Sequence, residues 1–162
     1  MGGHSLKRTG PAPLIGLFLI GGVVAYLFEL VMQSRGGLIF VPPLTVAVTL
    51  AAVAVAVILL AIPIRRRVTG KRREPIDPLY AARVLALAKA SSLAGALLGG
   101  VGAGILFYLL SRPIAPNGAI LTNVISHIVS AVILVAAGLI AESLCALPPE
   151  DNDEGAVGEP AA

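Results

Sequence analysis

Charged residues fall in tight groups along this chain, and between the groups it stays apolar for long distances. Histidine aside, the uncharged intervals are residues 9–28, 36–64, 90–111 and 113–141, which are 20, 29, 22 and 29 residues long. A helix of about 20 residues crosses the roughly 30 Å of bilayer hydrocarbon and satisfies every backbone donor and acceptor internally. A charge at the centre of such a span costs at least about 2.5 kcal/mol, so intervals without charge are the candidate crossings. The helix breakers fall between them: Pro11 and Pro13 before the first, Pro42 and Pro43 at the head of the second, and Pro113, Pro116 and Asn117-Gly118 between the last two. The pattern predicts an all-α, polytopic membrane helix bundle with four transmembrane helices, over 14–33, 43–64, 79–110 and 119–145. Asp77-Pro78 supplies a start for the third, the Asp accepting from first-turn amides and the Pro lacking an N–H that would go unused. That helix is about 50 Å long at 1.5 Å per residue, so its first turns, with Arg83 and Lys89, are expected among the headgroups. The strict alternation of an outer-membrane barrel strand is missing.

Composition narrows the classes. Of 162 residues, 57% are apolar and 13% charged, against roughly 45–50% and 25% in a soluble domain. One Cys and two His exclude a disulfide framework and a four-ligand zinc site. With no Trp and 4% aromatics the chain has no stacking platform, so the formal charge of +3 does not point to nucleic acid. No cofactor is expected. Lys7 and Arg8 before an apolar run, with Val23-Val24-Ala25 inside it, resemble a signal peptide, but the run continues through Tyr26, Leu27 and Phe28, longer than an h-region needs. An uncleaved first helix is expected.

The distribution of cations sets the orientation. Arg65, Arg66, Arg67, Lys71, Arg72, Arg73, Arg83 and Lys89 face only Glu74 and Asp77 in the same stretch, whereas the other two links carry Arg35 and Arg112. Under the positive-inside rule the loop 65–78 is cytoplasmic, as are the tail 1–13 and, after four crossings, the C-terminus. The six cations Arg65 to Arg67 and Lys71 to Arg73 are expected to contact anionic lipid headgroups. Residues 148–162, rich in acids, Pro and Gly, read as a disordered cytoplasmic tail.

Within the spans, small and polar residues recur at helical spacing. Ser91, Gly95, Gly99 and Ala103 form one ribbon on the third helix, and Ser92, Ala96, Gly100 and Gly104 a second. Small side chains let backbones approach, which matters because lipid gives helices no hydrophobic reason to associate. Gly21, Gly22 and Ala25 are the candidate opposing surface, and the ribbons serve either a helix of this chain or another protomer. Asn123, His127 and Ser130, with Ser126 beside them, line one face of the fourth helix: a hydrogen-bonded relay, a solute path or ordinary interhelical bonding. Glu29 is placed near Arg35 and Arg112, where a pair is expected, and Lys89 and Glu142 match in depth as an inner ion pair. GGVGAG lacks the GxGxxG spacing of a phosphate loop. Lys89 and Ser92 have no oxyanion hole or orienting group, and Cys145 has no nearby base, so no catalytic residue is assigned.

The stretch PIDPLYAARVLALAKASSLAGALLGG, residues 75–100, is similar to the signature of a small actinobacterial family of four-helix membrane proteins of unknown function. The resemblance covers most of the chain and rests on Arg83, Lys89, Ser91, Ser92, Gly95 and Glu142. It implies an actinobacterial plasma membrane and genes often adjacent to folate biosynthesis, and it carries over no catalytic residue. A His or Cys pair frequently follows the terminal acid in the family, whereas here Ser143, Leu144 and Cys145 follow Glu142. Two functions are expected of such a chain. One is a non-enzymatic scaffold or accessory subunit with a membrane-protein partner; the other is a small-solute or ion transporter or channel acting as a homo-oligomer.

Overall fold

The computed structural model describes residues 10–68, 78–113 and 116–145. They form four helices, α1 (Pro11–Ser34), α2 (Leu44–Val68), α3 (Pro78–Leu110) and α4 (Gly118–Cys145), and no strand among the described residues. Each contains a segment long and apolar enough to cross a membrane: Pro11–Ser34, Leu44–Pro63, Ala82–Leu110 and Gly118–Leu144. Four such helices mark a multi-pass membrane protein. Residues 1–9, the loop cations Lys71, Arg72 and Arg73, Asp77 and the acidic tail 148–162 lie outside the described residues, as do the side chains of Arg65, Arg66 and Arg67.

The helix ends follow from local chemistry. α1 begins three residues earlier than the apolar run predicts, on Pro11, whose missing N–H is one a first turn does not use. It ends where Gly36 takes φ +73 and the N–H groups of Gly36 and Gly37 donate to Gln33 and Met32 carbonyls at 3.0 and 2.9 Å. α2 runs past the predicted end, through Pro63 and on to Val68. Arginines are good helix formers and complement the negative C-terminal end of the dipole, so the basic stretch opens as helix instead of loop. At α4 the Asn117 Oδ1 accepts the Ala119 N–H at 3.2 Å, satisfying a first-turn donor.

The four helices form a row in the order α1, α3, α4, α2. Among the described residues α1 packs only on α3, and α2 packs chiefly on α4. Residue pairs across each seam give the directions. Phe18 meets Gly100 and Gly22 meets Gly104, so α1 and α3 run parallel; Gly102 meets His127 and Gly95 meets Val135, so α3 and α4 run antiparallel. Three apolar clusters stack along the helix axes: Val57, Ala61, Ala88 and Ala141 at one end, Leu50, Ala54, Ala131, Leu134 and Ala137 in the middle, and Ala25, Ile105, Leu109 and Val124 at the other.

This order imposes a task on the link between α1 and α2, which are neighbours in sequence and opposite ends in space. α2 also touches α3, so the link spans at most three interhelical steps of about 8–10 Å. Arg35 and Gly36 form a turn, and the seven residues 37–43 reach roughly 24 Å when extended. Residues 37–43 have no helical or turn structure, and their side chains alternate. Ile39 and Val41 pack on the cluster of Ala25, Ile105, Leu109 and Val124, while Leu38 and Phe40 point away. The link is a strap across the row.

Candidate functional site

Two polar places lie inside this apolar frame: the seam between α3 and α4, and the end of α1 under the strap. The seam is built by small residues. A Cβ at Gly95 would stand 3.0 Å from the Val135 nitrogen and 3.1 Å from the Ala131 carbonyl, and one at Gly138 would stand 2.8 Å from both the Ala88 oxygen and the Ser92 nitrogen. Gly99 reaches Ala131 on α4 and Phe18 on α1. Gly100 and Gly104 instead press on the carbonyls of Phe18 and Gly22 of α1. The ribbon of Ser92, Ala96, Gly100 and Gly104 thus begins against α4 and ends against α1. A four-residue step advances about 40° beyond a full turn, so twelve residues carry a face about 120° around the helix. Ser91 is buried and Ala103 half-buried.

His127, 3% exposed, sits in the notch left by Gly102. Its Nε2 lies 3.0 Å from the Leu98 carbonyl oxygen. A carbonyl only accepts, so Nε2 carries the proton, and in the neutral ring Nδ1 is a bare acceptor. That Nδ1 is buried and has no hydrogen-bond partner. The remaining polar groups of the face stay within their own helices. Ser130 donates to the Ser126 carbonyl, Ser126 to Thr122 at 2.8 Å, and Ser92 to Lys89 at 2.9 Å. Asn123 is half-exposed. Of the three residues aligned at helical spacing, only His127 bonds across to α3.

Replacing His127 by Leu is therefore expected to change stability by less than about 1 kcal/mol. The variant loses one hydrogen bond worth about 1 kcal/mol and also removes a buried acceptor without a donor, and the two changes oppose each other. A loss above about 2 kcal/mol in detergent unfolding would show that Nδ1 has a partner in solution.

Glu29 is 0% exposed and does not meet an arginine among the described residues. Its carboxylate accepts the backbone N–H of Phe40, at 3.1 Å to Oε1 and 3.4 Å to Oε2. The expected pair with Arg35 or Arg112 is thus corrected: Arg112 Nη2 donates to Gln33 Oε1 at 3.0 Å and to the Tyr108 hydroxyl, its guanidinium 5.0 Å from the centre of that ring. Tyr26 fills the space beside, its ring 5.9 Å from that of Tyr108. The extended strap delivers a backbone donor to Glu29, and Arg112, at the very end of α3, reaches a neutral amide at its own level. At the opposite end Glu142 is buried and Lys89 half-buried, at matching depth through the contact of Ala88 with Ala141, and each engages a partner.

Gly102, Gly138, Phe40 and the Gln33–Arg112–Tyr108 group carry no signal in the periodicity used above. Gly102 and Gly138 are visible afterwards, as glycines inside apolar helical runs. No group of three His, Cys, Asp or Glu residues close enough to hold a metal ion occurs among the described residues.

No curated protein and no solved structure matches the chain. A family model described as "Protein of unknown function (DUF3180)" matches residues 14–149. The match runs from the first turn of α1 past the end of α4, taking in both polar places, and the chain belongs to this DUF3180 family.

Proposed function

We propose that this protein is a non-enzymatic scaffold or accessory subunit of a membrane complex, in an actinobacterial plasma membrane with both termini cytoplasmic. What supports it most is the use made of polar side chains inside the row. Ser92, Ser126 and Ser130 return their hydroxyls to their own helices, and His127 ties α4 to the α3 backbone. Of these, His127 is the group that joins two helices. Among the described residues α1 has one helix neighbour, which leaves its other faces to seat a membrane-protein partner. The cations at 65–67 and 71–73 hold anionic headgroups, at about 1 kcal/mol each near the surface. Lys89 and Glu142 form an inner ion pair.

Photo-crosslinking in native membranes tests this, with the reactive group placed at Leu19 of α1 and Leu59 of α2, both exposed. The expected result is a discrete adduct with a different membrane protein from at least one position. Adducts with lipid alone reject the scaffold. Adducts only with a second copy favour the other function, an oligomeric small-solute or ion transporter, which the unpartnered Nδ1 of His127 supports. In that case His127→Leu abolishes proton or potassium flux in reconstituted vesicles, and unchanged flux rejects it.

A further inference from the structure

The strap is the most unusual backbone in the molecule, because extended chain inside a lipid-facing region leaves donors and acceptors that helices would satisfy. Its depth follows from four contacts. The Phe40 ring packs edge-on against Phe28 at 6.4 Å, and the Phe40 N–H reaches Glu29. Phe28 is six residues before the end of α1, about 9 Å along its axis. Ile39 and Val41 pack on the cluster of Ala25, Ile105, Leu109 and Val124, whose members lie between one and nine residues from the helix ends. The Phe28 and Glu29 contacts place Phe40 more than one turn inside the end of α1. With its axis upright and its midpoint at the bilayer centre, α1, with 24 residues and about 36 Å long, overshoots roughly 30 Å of hydrocarbon by about 3 Å at each side. Phe40 is then about 6 Å within the apolar layer.

From this placement we propose that residues 37–41 form a lipid-inserted strap, with Leu38 and Phe40 in the upper acyl chains of the leaflet where α1 ends and Glu29 as the internal acceptor that lets the backbone lie there. The outward residues fit the occupant. Leu38 is 90% exposed and Phe40 53% exposed, side chains that water would disfavour and acyl chains accept. Part of the backbone is provided for as well. Pro42 and Pro43 have no N–H to satisfy, Gly37 donates to the Met32 carbonyl at 2.9 Å, and Phe40 donates to Glu29. A carboxyl oxygen accepts a backbone N–H whether or not the group is ionised, and the four residues Leu38, Ile39, Phe40 and Val41 contain no polar side chain of their own. Lipid, not a protein partner, is the occupant because the outward side chains sit at the depth of the exposed Phe28, on the flank of a membrane-spanning helix.

The chain contains no Trp, so Leu38→Trp introduces a single reporter without background. The full-length protein carrying it is reconstituted in phosphatidylcholine vesicles with brominated acyl chains, and separately exposed to aqueous iodide. The indole is expected to emit at short wavelength and to be quenched at least threefold more by bromines at the 6,7 positions than by iodide. Adding Glu29→Leu is expected to reverse that ratio, because the Phe40 N–H loses its acceptor and the strap moves to water, whereas Glu29→Gln keeps an acceptor and retains the ratio. Helical content by circular dichroism separates strap release from unfolding, and if Glu29→Leu does not fold, the Leu38→Trp ratio alone decides. Preferential quenching by iodide places the strap in water and overturns the proposal. Quenching by neither means that a second copy covers the strap, which also overturns it. A ratio unmoved by Glu29→Leu in a folded protein removes Glu29 as the anchor.

Discussion

Gly100→Ala and Gly104→Ala are each expected to destabilise the seam of α1 and α3 by about 3 kcal/mol, at the upper end of what overpacking costs. The added methyl meets no flexible side chain that can move away. At Gly100 it meets the carbonyl of Phe18, and at Gly104 that of Gly22, both closer than the 3.0 Å that real Cβ atoms respect, so one backbone must retreat from the other. Neighbouring glycines on α1 supply the control. A Cβ at Gly22 comes no nearer than 3.4 Å to the Gly100 oxygen, and one at Gly16 meets nothing within 4 Å. Gly22→Ala and Gly16→Ala are therefore expected to be neutral or slightly stabilising, since Ala is the better helix former by about 1 kcal/mol. Because α1 is the end of the row and α3 is its one helix neighbour among the described residues, its release frees the contacts of Glu29 and Phe28 with the strap but leaves α3, α4 and α2 assembled. Spin labels at Leu19 and Leu87 report α1 against α3, and labels at Leu59 and Ile133 report α2 against α4; all four positions are exposed. In Gly100→Ala the first distance distribution broadens and the second does not. Equal behaviour of Gly22→Ala and Gly100→Ala would mean that this parallel seam does not exist in the membrane.

The number of helices and their approximate extents are legible in the chain because exclusion of charge from hydrocarbon acts on each residue separately. Their order in space is not. Residues 14–33 and 43–64 are joined by a short link, yet the structure sets them at opposite ends of the row. In lipid an apolar face carries no information about its neighbour, so the signal of partnership is confined to small residues, and these mark a face without naming what lies on it. Gly21, Gly22, Gly100 and Gly104 are recognisable as packing positions for that reason, while the split of the α3 ribbons between α1 and α4 emerges only once the helical drift is laid over two neighbours. Glu29 shows a different limit. Charge suggests an arginine partner, and Arg35 and Arg112 are the cations at its end of the molecule. The partner is instead the N–H of Phe40, a residue with no polar side chain, and its proximity depends on the strap. The alternation of Leu38, Ile39, Phe40 and Val41 between outward and inward has no sequence signature, because all four are apolar.

The strap and the row depend on each other, and this makes α4 the more sensitive place. α4 is interior: it holds α3 on one side and α2 on the other, and with α3 it supplies the surface on which Ile39 and Val41 rest. Gly138→Val is accordingly expected to cost more than about 3 kcal/mol. The first carbon added at Gly138 would lie 2.8 Å from the Ala88 carbonyl, 2.8 Å from the Ser92 nitrogen and 2.9 Å from the Ser92 Cβ, so three atoms bar it, two of them backbone. The two further methyls of Val demand still more room, and its branched Cβ resists adjustment. With Ser92 fully buried and Ala88 and Ala141 packed into the apolar cluster beside it, relief requires α4 to move away from α3 as a unit. Labels at Leu87 and Ile133 would then report a broadened α3 to α4 distance, and the Leu38→Trp indole would lose its protection from iodide because the far end of the same seam carries the strap. A Gly138→Val protein in which α3 and α4 separate while the indole stays in lipid would show that the strap is held by α1 alone, through Glu29 and Phe28, and that the row is two independent halves joined at α3.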